Sequence, residues 1–68
     1  MSNVAKVIEL VGKSDKSWED AAANAVKSAA RTIHGISGVE VQNMTAKVKD
    51  GKIVVYKTTV KIAFEVAS

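Results

Sequence analysis

Side chains able to do chemistry are few in this chain and widely spaced. The lone histidine, His34, follows Arg31 and Thr32, the nearest approach to a catalytic grouping. Acid–base or nucleophilic work needs a second group within hydrogen-bond reach of the first. At the end of a helical pattern His34 is better understood as a terminal side chain near the negative end of the helix dipole. The absence of cysteine removes thiol catalysis, thiolate metal sites and disulfides together. A single histidine cannot build an imidazole zinc site. The acids Glu9, Glu40, Asp50 and Glu65 are scattered, without the dense carboxylate spacing by which one loop surrounds calcium with oxygen. A calcium site would have to be assembled across subunits. Lys47, Lys49, Lys52, Lys57 and Lys61 could meet phosphates, but base stacking needs exposed aromatics, and Tyr56 and Phe64 fall on a predicted core face. Nucleic-acid binding thus reduces to a salt-sensitive phosphate contact. No catalytic residue is assigned, and the chain is not expected to be an enzyme.

The elements that carry these residues follow from pattern. Residues 4–11, "VAKVIELV", are rich in Val and Ile and predict a strand, which Gly12 should break before the polar connection "KSDKS". Then "SWEDAAANAVKSAARTIHG", residues 17–35, is the clearest helix. Ser17 is placed to cap it, and Asp20 at the third helical position to reach back in a capping box. Glu19 and Asp20 sit at the positive end of the dipole, Lys27, Arg31 and His34 toward the negative end, and Gly35 supplies a left-handed stop. Trp18, Ala22, Ala25, Ala29 and Ile33 recur at helical spacing, widened by Ala21, Val26 and Ala30 into one apolar face. That face is mostly alanine, which lets a sheet come close, with Trp18 filling one end as a core anchor.

After the helix, "VEVQNMTAKV" alternates without a strong apolar face, and Asp50-Gly51 marks a hairpin turn. The closing stretch, residues 53–67, alternates throughout. Val54, Tyr56, Thr58, Val60, Ile62, Phe64 and Val66 share the face expected to cover the helix; Ile53, Val55, Lys57, Thr59, Lys61, Ala63 and Glu65 share the other. The second face is too polar for an internal core and too apolar for free solvent, as a subunit contact would be. The predicted fold is therefore α+β: β-α-β-β, a three-stranded antiparallel sheet with the last strand central, curled around one helix. Residues 1–68 form a single domain.

Sixty-eight residues bury only about 60% of the surface exposed on unfolding, and without disulfides or a structural metal, association is the remaining way to stabilise them. The hydrophobic content of 47% agrees. Net charge is +3, mild enough for an anionic small ligand but without a basic arm. No stretch approaches the length of a membrane span, and the opening "MSNVAKVIEL" lacks the order of a secretory leader. The expectation is a cytoplasmic protein.

With "KVIELVGKS" opening, "AAANAVKSAARTI" in the helix, and "VVYKTTVKIAFEV" closing on the pattern Y-x-x-x-V-x-x-A-F, the whole chain resembles the dodecin family. The resemblance implies a hollow homo-oligomeric shell, a dodecamer, with small-molecule pockets at two-fold contacts. Dodecins hold flavins there, of the FMN or riboflavin type, for storage or quenching. In the flavin-binding members a tryptophan just after the helix-to-strand loop stacks on the ring, and a glutamine on the last strand bonds its polar edge. Matched end to end without gaps, those positions are Gly38 and Lys57. Arginines found near the pocket match Thr45 and Glu65. The resemblance therefore implies a binding protein with its stacking position vacated and flavin affinity weak or absent. Some relatives lacking the tryptophan bind calcium, so a calcium-binding or purely structural variant is the alternative.

Overall fold

A computed structural model describes residues 3–66. The order is β1 (Ala5–Ser14), α1 (Trp18–Ala29), β2 (Ile36–Lys49) and β3 (Lys52–Glu65). The three strands form one antiparallel sheet, β1-β3-β2, with the last strand central, as expected. Asp50 and Gly51 turn the hairpin with φ of 52° and 75°, the positive values that a two-residue turn between twisted strands requires. Ala67, also in the expected last strand, lies outside the described residues.

The helix lies over β1 and β3 and scarcely meets β2. Its buried residues are Ala21, Ala25 and Ala29; Ala25 and Ala29 form one cluster with Val60 and Ile62 of β3, with Ile8, Leu10, Ala22, Val26, Ile33 and Ile36 around it. Burial of Thr58, Val60 and Ile62 confirms the alternation foreseen in β3. Gly12 does not break β1. The strand runs through it to Ser14, and the glycine is needed because the helix is so close: a Cβ there would lie 1.9 Å from the Ala21 carbonyl oxygen. An absent side chain, not a bend, is its role.

The helix start is also more elaborate than a capping box. Ser17 Oγ accepts the Asp20 N–H at 2.9 Å, as foreseen. The Asp20 carboxylate, however, accepts from Ser14 Oγ at 2.6 Å instead of from Ser17 N–H. Ser14 Oγ in turn accepts from the backbone N–H of Lys16 at 2.9 Å and Ser17 at 3.4 Å. The end of β1 thus supplies the relay. At the other end the helix stops at Ala29, earlier than expected, and turns follow through Thr32. Gly35, with φ of 78°, does not terminate the helix. It leads into β2, its carbonyl accepting the Glu65 N–H at 3.1 Å.

Trp18 is half-buried, not a core residue. It meets Tyr56 edge-on, centroids 4.9 Å apart and planes at 83°, and its indole N–H donates to the Thr45 carbonyl at 2.7 Å. Its own carbonyl accepts from the Thr58 hydroxyl at 2.8 Å. It is a strap from the helix start across β3 to β2.

The result is thin. The radius of gyration is 13.9 Å and the extents are 51 × 20 × 12 Å, against about 11 Å for a globular chain of this length. Among the described residues Val4, Val7, Val11, Val39, Val41, Met44, Val48, Ile53 and Val54 are exposed. None of the described helices is long and apolar enough to cross a membrane.

Two substitutions separate the close contact from the strap. Gly12→Ala should cost about 3 kcal/mol, the upper range for overpacking, because the clash is with backbone. Trp18→Phe keeps most of the packing and loses one exposed hydrogen bond, so about 1 kcal/mol is expected. Chemical denaturation of both variants measures this; equal losses would contradict the assignment.

Candidate functional site

The sheet face turned away from α1 carries the candidate residues, and strand pairing arranges them in rows. Val7, Ala63 and Gly38 form one row across β1, β3 and β2. Glu9, Lys61 and Glu40 form the next, a lysine between two carboxylate residues. Val11, Thr59 and Asn43 follow, then Lys13, Lys57 and Thr45. The alternation of β2 changes phase between Val41 and Asn43, where a register shift leaves Gln42 over. Before it Gly38 and Glu40 face outward; after it Asn43, Thr45 and Lys47 do, as an extra residue in a bulged strand demands.

An open depression of ≈ 430 Å³ lies at the first two rows, lined by Val7, Gly38, Val39, Glu40, Lys61 and Ala63. It offers an apolar floor at Val7 and Ala63 beside a charged row. Gly38 stands in it with nothing within 4 Å of where a Cβ would be, and its φ lies outside the left-handed region. A register shift precedes it at Ser37, yet the backbone at Gly38 does not demand glycine. Within one chain the position has open space for a Cβ.

The four residues indicated by the resemblance fall into two groups within one chain. Gly38 lies in the depression, and Glu65 is at the same end, paired with Ala5. Thr45 and Lys57 are directly paired with each other. Ala63, the partner of Gly38, is six positions along β3 from Lys57, which at the strand rise is about 20 Å. One chain therefore does not bring Gly38 and Lys57 together. Lining residues Val7, Val39 and Ala63, and Lys13 in the second group, were not singled out from sequence, and Glu40 and Lys61 were weighed there only for calcium and phosphate contacts. Strand pairing was the missing information. His34 is exposed and has no catalytic partner among the described residues. No group of three or more His, Asp or Glu side chains able to hold a metal converges among the described residues.

Comparison with known proteins matches residues 4–67 to the family model described as Dodecin. Among solved structures, the dodecin from Streptomyces coelicolor superposes with a TM-score of 0.93 at 29% identity, covering 100% of this chain and 99% of that one. The dodecin from Streptomyces davaonensis gives a TM-score of 0.92 at 28% identity, covering 98% and 100%. A calcium dodecin from Mycobacterium tuberculosis, described as calcium-chelating with a novel calcium-binding site, gives 0.82 at 35% identity, covering 96% and 93%. Curated proteins gave no match.

The open space at Gly38 makes a contrast with Gly12 testable. Gly38→Ala should leave stability unchanged or raise it by up to about 1 kcal/mol, since a residue other than glycine restricts the unfolded chain. Thermal melting compared with the parent protein checks this. A loss of more than about 1 kcal/mol would show that glycine is needed for the backbone itself.

Proposed function

The chain belongs to the dodecin family, and from that premise we propose a non-enzymatic binding and storage protein that works as a cytoplasmic homo-dodecamer. Its ligand is a small molecule of flavin type, held weakly. The observation that carries this reading is Gly38, which lines an open depression and has no atom within 4 Å of its missing Cβ. The position that the resemblance gives to a stacking tryptophan offers no platform. Lys57 departs in the same direction. An ammonium has donors but no acceptor and cannot supply both halves of an amide's pattern. Association accounts for the exposed valines on both sheet faces, and copies related by symmetry are needed to bring a Gly38 end and a Lys57 end together.

A second reading, calcium binding, is favoured by the 35% identity to the calcium dodecin. In one chain Glu9 and Glu40 are each paired with Lys61 and not with one another. Calcium would thus require carboxylates from neighbouring copies.

Riboflavin titration followed by flavin fluorescence tests the proposal. A stacking pair contributes about 0.5–1.5 kcal/mol beyond the area it covers, and about 100 Å² of covered ring adds roughly 2.5 kcal/mol. Gly38→Trp with Lys57→Gln should therefore tighten binding by about 3–4 kcal/mol, on the order of a few hundredfold. Tight binding and strong quenching by the parent protein would contradict the vacated site. Calorimetric titration of calcium into chelator-treated protein decides the second reading.

A further inference from the structure

The hairpin that joins β2 to β3 runs beyond the rest of the fold. β1 pairs with β3 only as far as Tyr56, so residues 52–55 have β2 alone beside them, through Lys47, Val48 and Lys49. A register shift between Lys47 and Val48 leaves Val54 over, an irregularity that weakens pairing inside this short ribbon. The last hydrogen bond from α1 to β2 is that of Trp18 to the Thr45 carbonyl. Among the described residues no side-chain hydrogen bond reaches residues 46–55, and residues 47–54 are all exposed. A two-stranded ribbon with neither a third strand nor a helix over it is marginally stable. This arm therefore opens locally while the core stays folded.

At its tip Asp50 and Gly51 hold φ of 52° and 75°, a region that glycine accepts freely and aspartate only at some cost. The Gly51 N–H has no acceptor among the described residues, and the Asp50 carboxylate has neither donor nor cation. Nothing lies within 4 Å of where a Cβ on Gly51 would be. The chain has two other aspartates, and the nitrogen that follows each is engaged. Lys16 N–H, after Asp15, donates to Ser14 Oγ at 2.9 Å. Ala21 N–H, after Asp20, donates to the Ser17 carbonyl at 3.0 Å. The Asp20 carboxylate is itself held by Ser14 Oγ at 2.6 Å.

We propose that Asp50-Gly51 is a site of spontaneous backbone isomerisation through a cyclic imide, with water as the only reagent. The Gly51 nitrogen attacks Asp50 Cγ. An N–Cγ bond forms, the Cγ–OH bond of the protonated carboxyl breaks, and that hydroxyl leaves with the amide proton as water. Water then opens the ring at either of its two carbonyls. Cleavage of the N–Cγ bond restores aspartate. Cleavage between the Asp50 carbonyl carbon and the Gly51 nitrogen leaves the chain running through Cγ, an isoaspartate of unchanged mass. Glycine favours the attack because no side chain shields its nitrogen, and the opening arm supplies conformations in which that nitrogen reaches Cγ. The product adds one carbon to the main chain, whereas a two-residue turn closes this hairpin only with both φ positive. The pairing of Lys49 with Lys52 is then lost. The arm becomes a record of the protein's age, ending in a free α-carboxylate that an isoaspartyl methyltransferase esterifies.

Incubation of the intact protein for weeks in warm neutral buffer tests the assignment. Cleavage after glutamate then releases residues 10–19, 20–40 and 41–65, with one aspartate in each. A form of the last peptide with equal mass and different chromatographic mobility should accumulate, preceded by a species lighter by one water. It should take up one methyl group from S-adenosylmethionine in the presence of an isoaspartyl methyltransferase. Asp50→Glu, which needs a larger ring, should show no such form. Asp50→Asn reaches the same imide by losing ammonia, so it should convert faster and give the parent's ratio of isoaspartate to aspartate. Asparagine also accepts positive φ, so this variant tests the site in an intact turn. No isoaspartate at Asp50, equal conversion at Asp15 and Asp20, or a different product ratio from Asp50→Asn would overturn the assignment. Neither Gly38 nor Lys57 takes part, so failure here is distinguishable from failure of the flavin reading.

Discussion

The close approach of α1 to β1 at Gly12 is the constraint from which the rest of the fold follows. A backbone carbonyl of the helix, that of Ala21, occupies the space that any Cβ on Gly12 would take. Helix and strand meet through atoms of the main chain and the methyl groups of Ala21, Ala25 and Ala29. Such a contact is tight but narrow. It leaves few apolar atoms in the core, and among the described residues only Val60 and Ile62 contribute large apolar side chains that are fully buried. The polar relay from Ser14 to Asp20 and the strap from Trp18 to Thr45 then fix the direction in which the helix leaves the strand.

From that narrow core follows the division of labour between the sheet's faces. The helix is too slender to cover three long strands, so β2 is left with nearly all of its residues exposed, on both sides. Val39, Val41 and Met44 point to the helix side yet find no helix above them. The outer face, free of the helix altogether, is where a depression and the charged row beside it can stand. The proposed assembly and ligand binding would therefore have a common origin: one helix covering too little sheet. These side chains are about half exposed, so each one that a neighbouring copy covers completely contributes roughly 1 kcal/mol, and several together are comparable with the whole stability of so small a domain.

Much of this architecture is legible in the residues. Period-two alternation from Ile53 onward identifies the central strand and its two faces, because a strand buried on one side must alternate. Asp50-Gly51 names its turn because few residues accept positive φ. The helix start is equally legible at Ser17. The errors share a cause, which is that local signals report permission and tertiary contacts decide use. Gly12 permits a break but is used for close packing; Gly35 permits a helix stop but is used at the entry to β2. Trp18 is apolar enough for a core, yet its N–H and its place on the first turn carry it to the sheet's far strand. The candidate site was the least legible part. The extra residue at Gln42 reverses which residues of β2 face outward, so the rows that join Gly38 to Ala63 and Thr45 to Lys57 cannot be read from spacing along one strand. The resemblance indicates positions, but the pairing of strands decides which of them share a neighbourhood.

The central claim is that this fold is completed by copies of itself. Sedimentation velocity and far-ultraviolet circular dichroism on one dilution series, from high micromolar to low nanomolar protein, test it most directly. The account predicts a single large species near twelve chains (the number implied by the family), and loss of secondary structure in step with its dissociation, since mass action links assembly to folding. A monomer that sediments as a single chain and keeps its full secondary structure would contradict it.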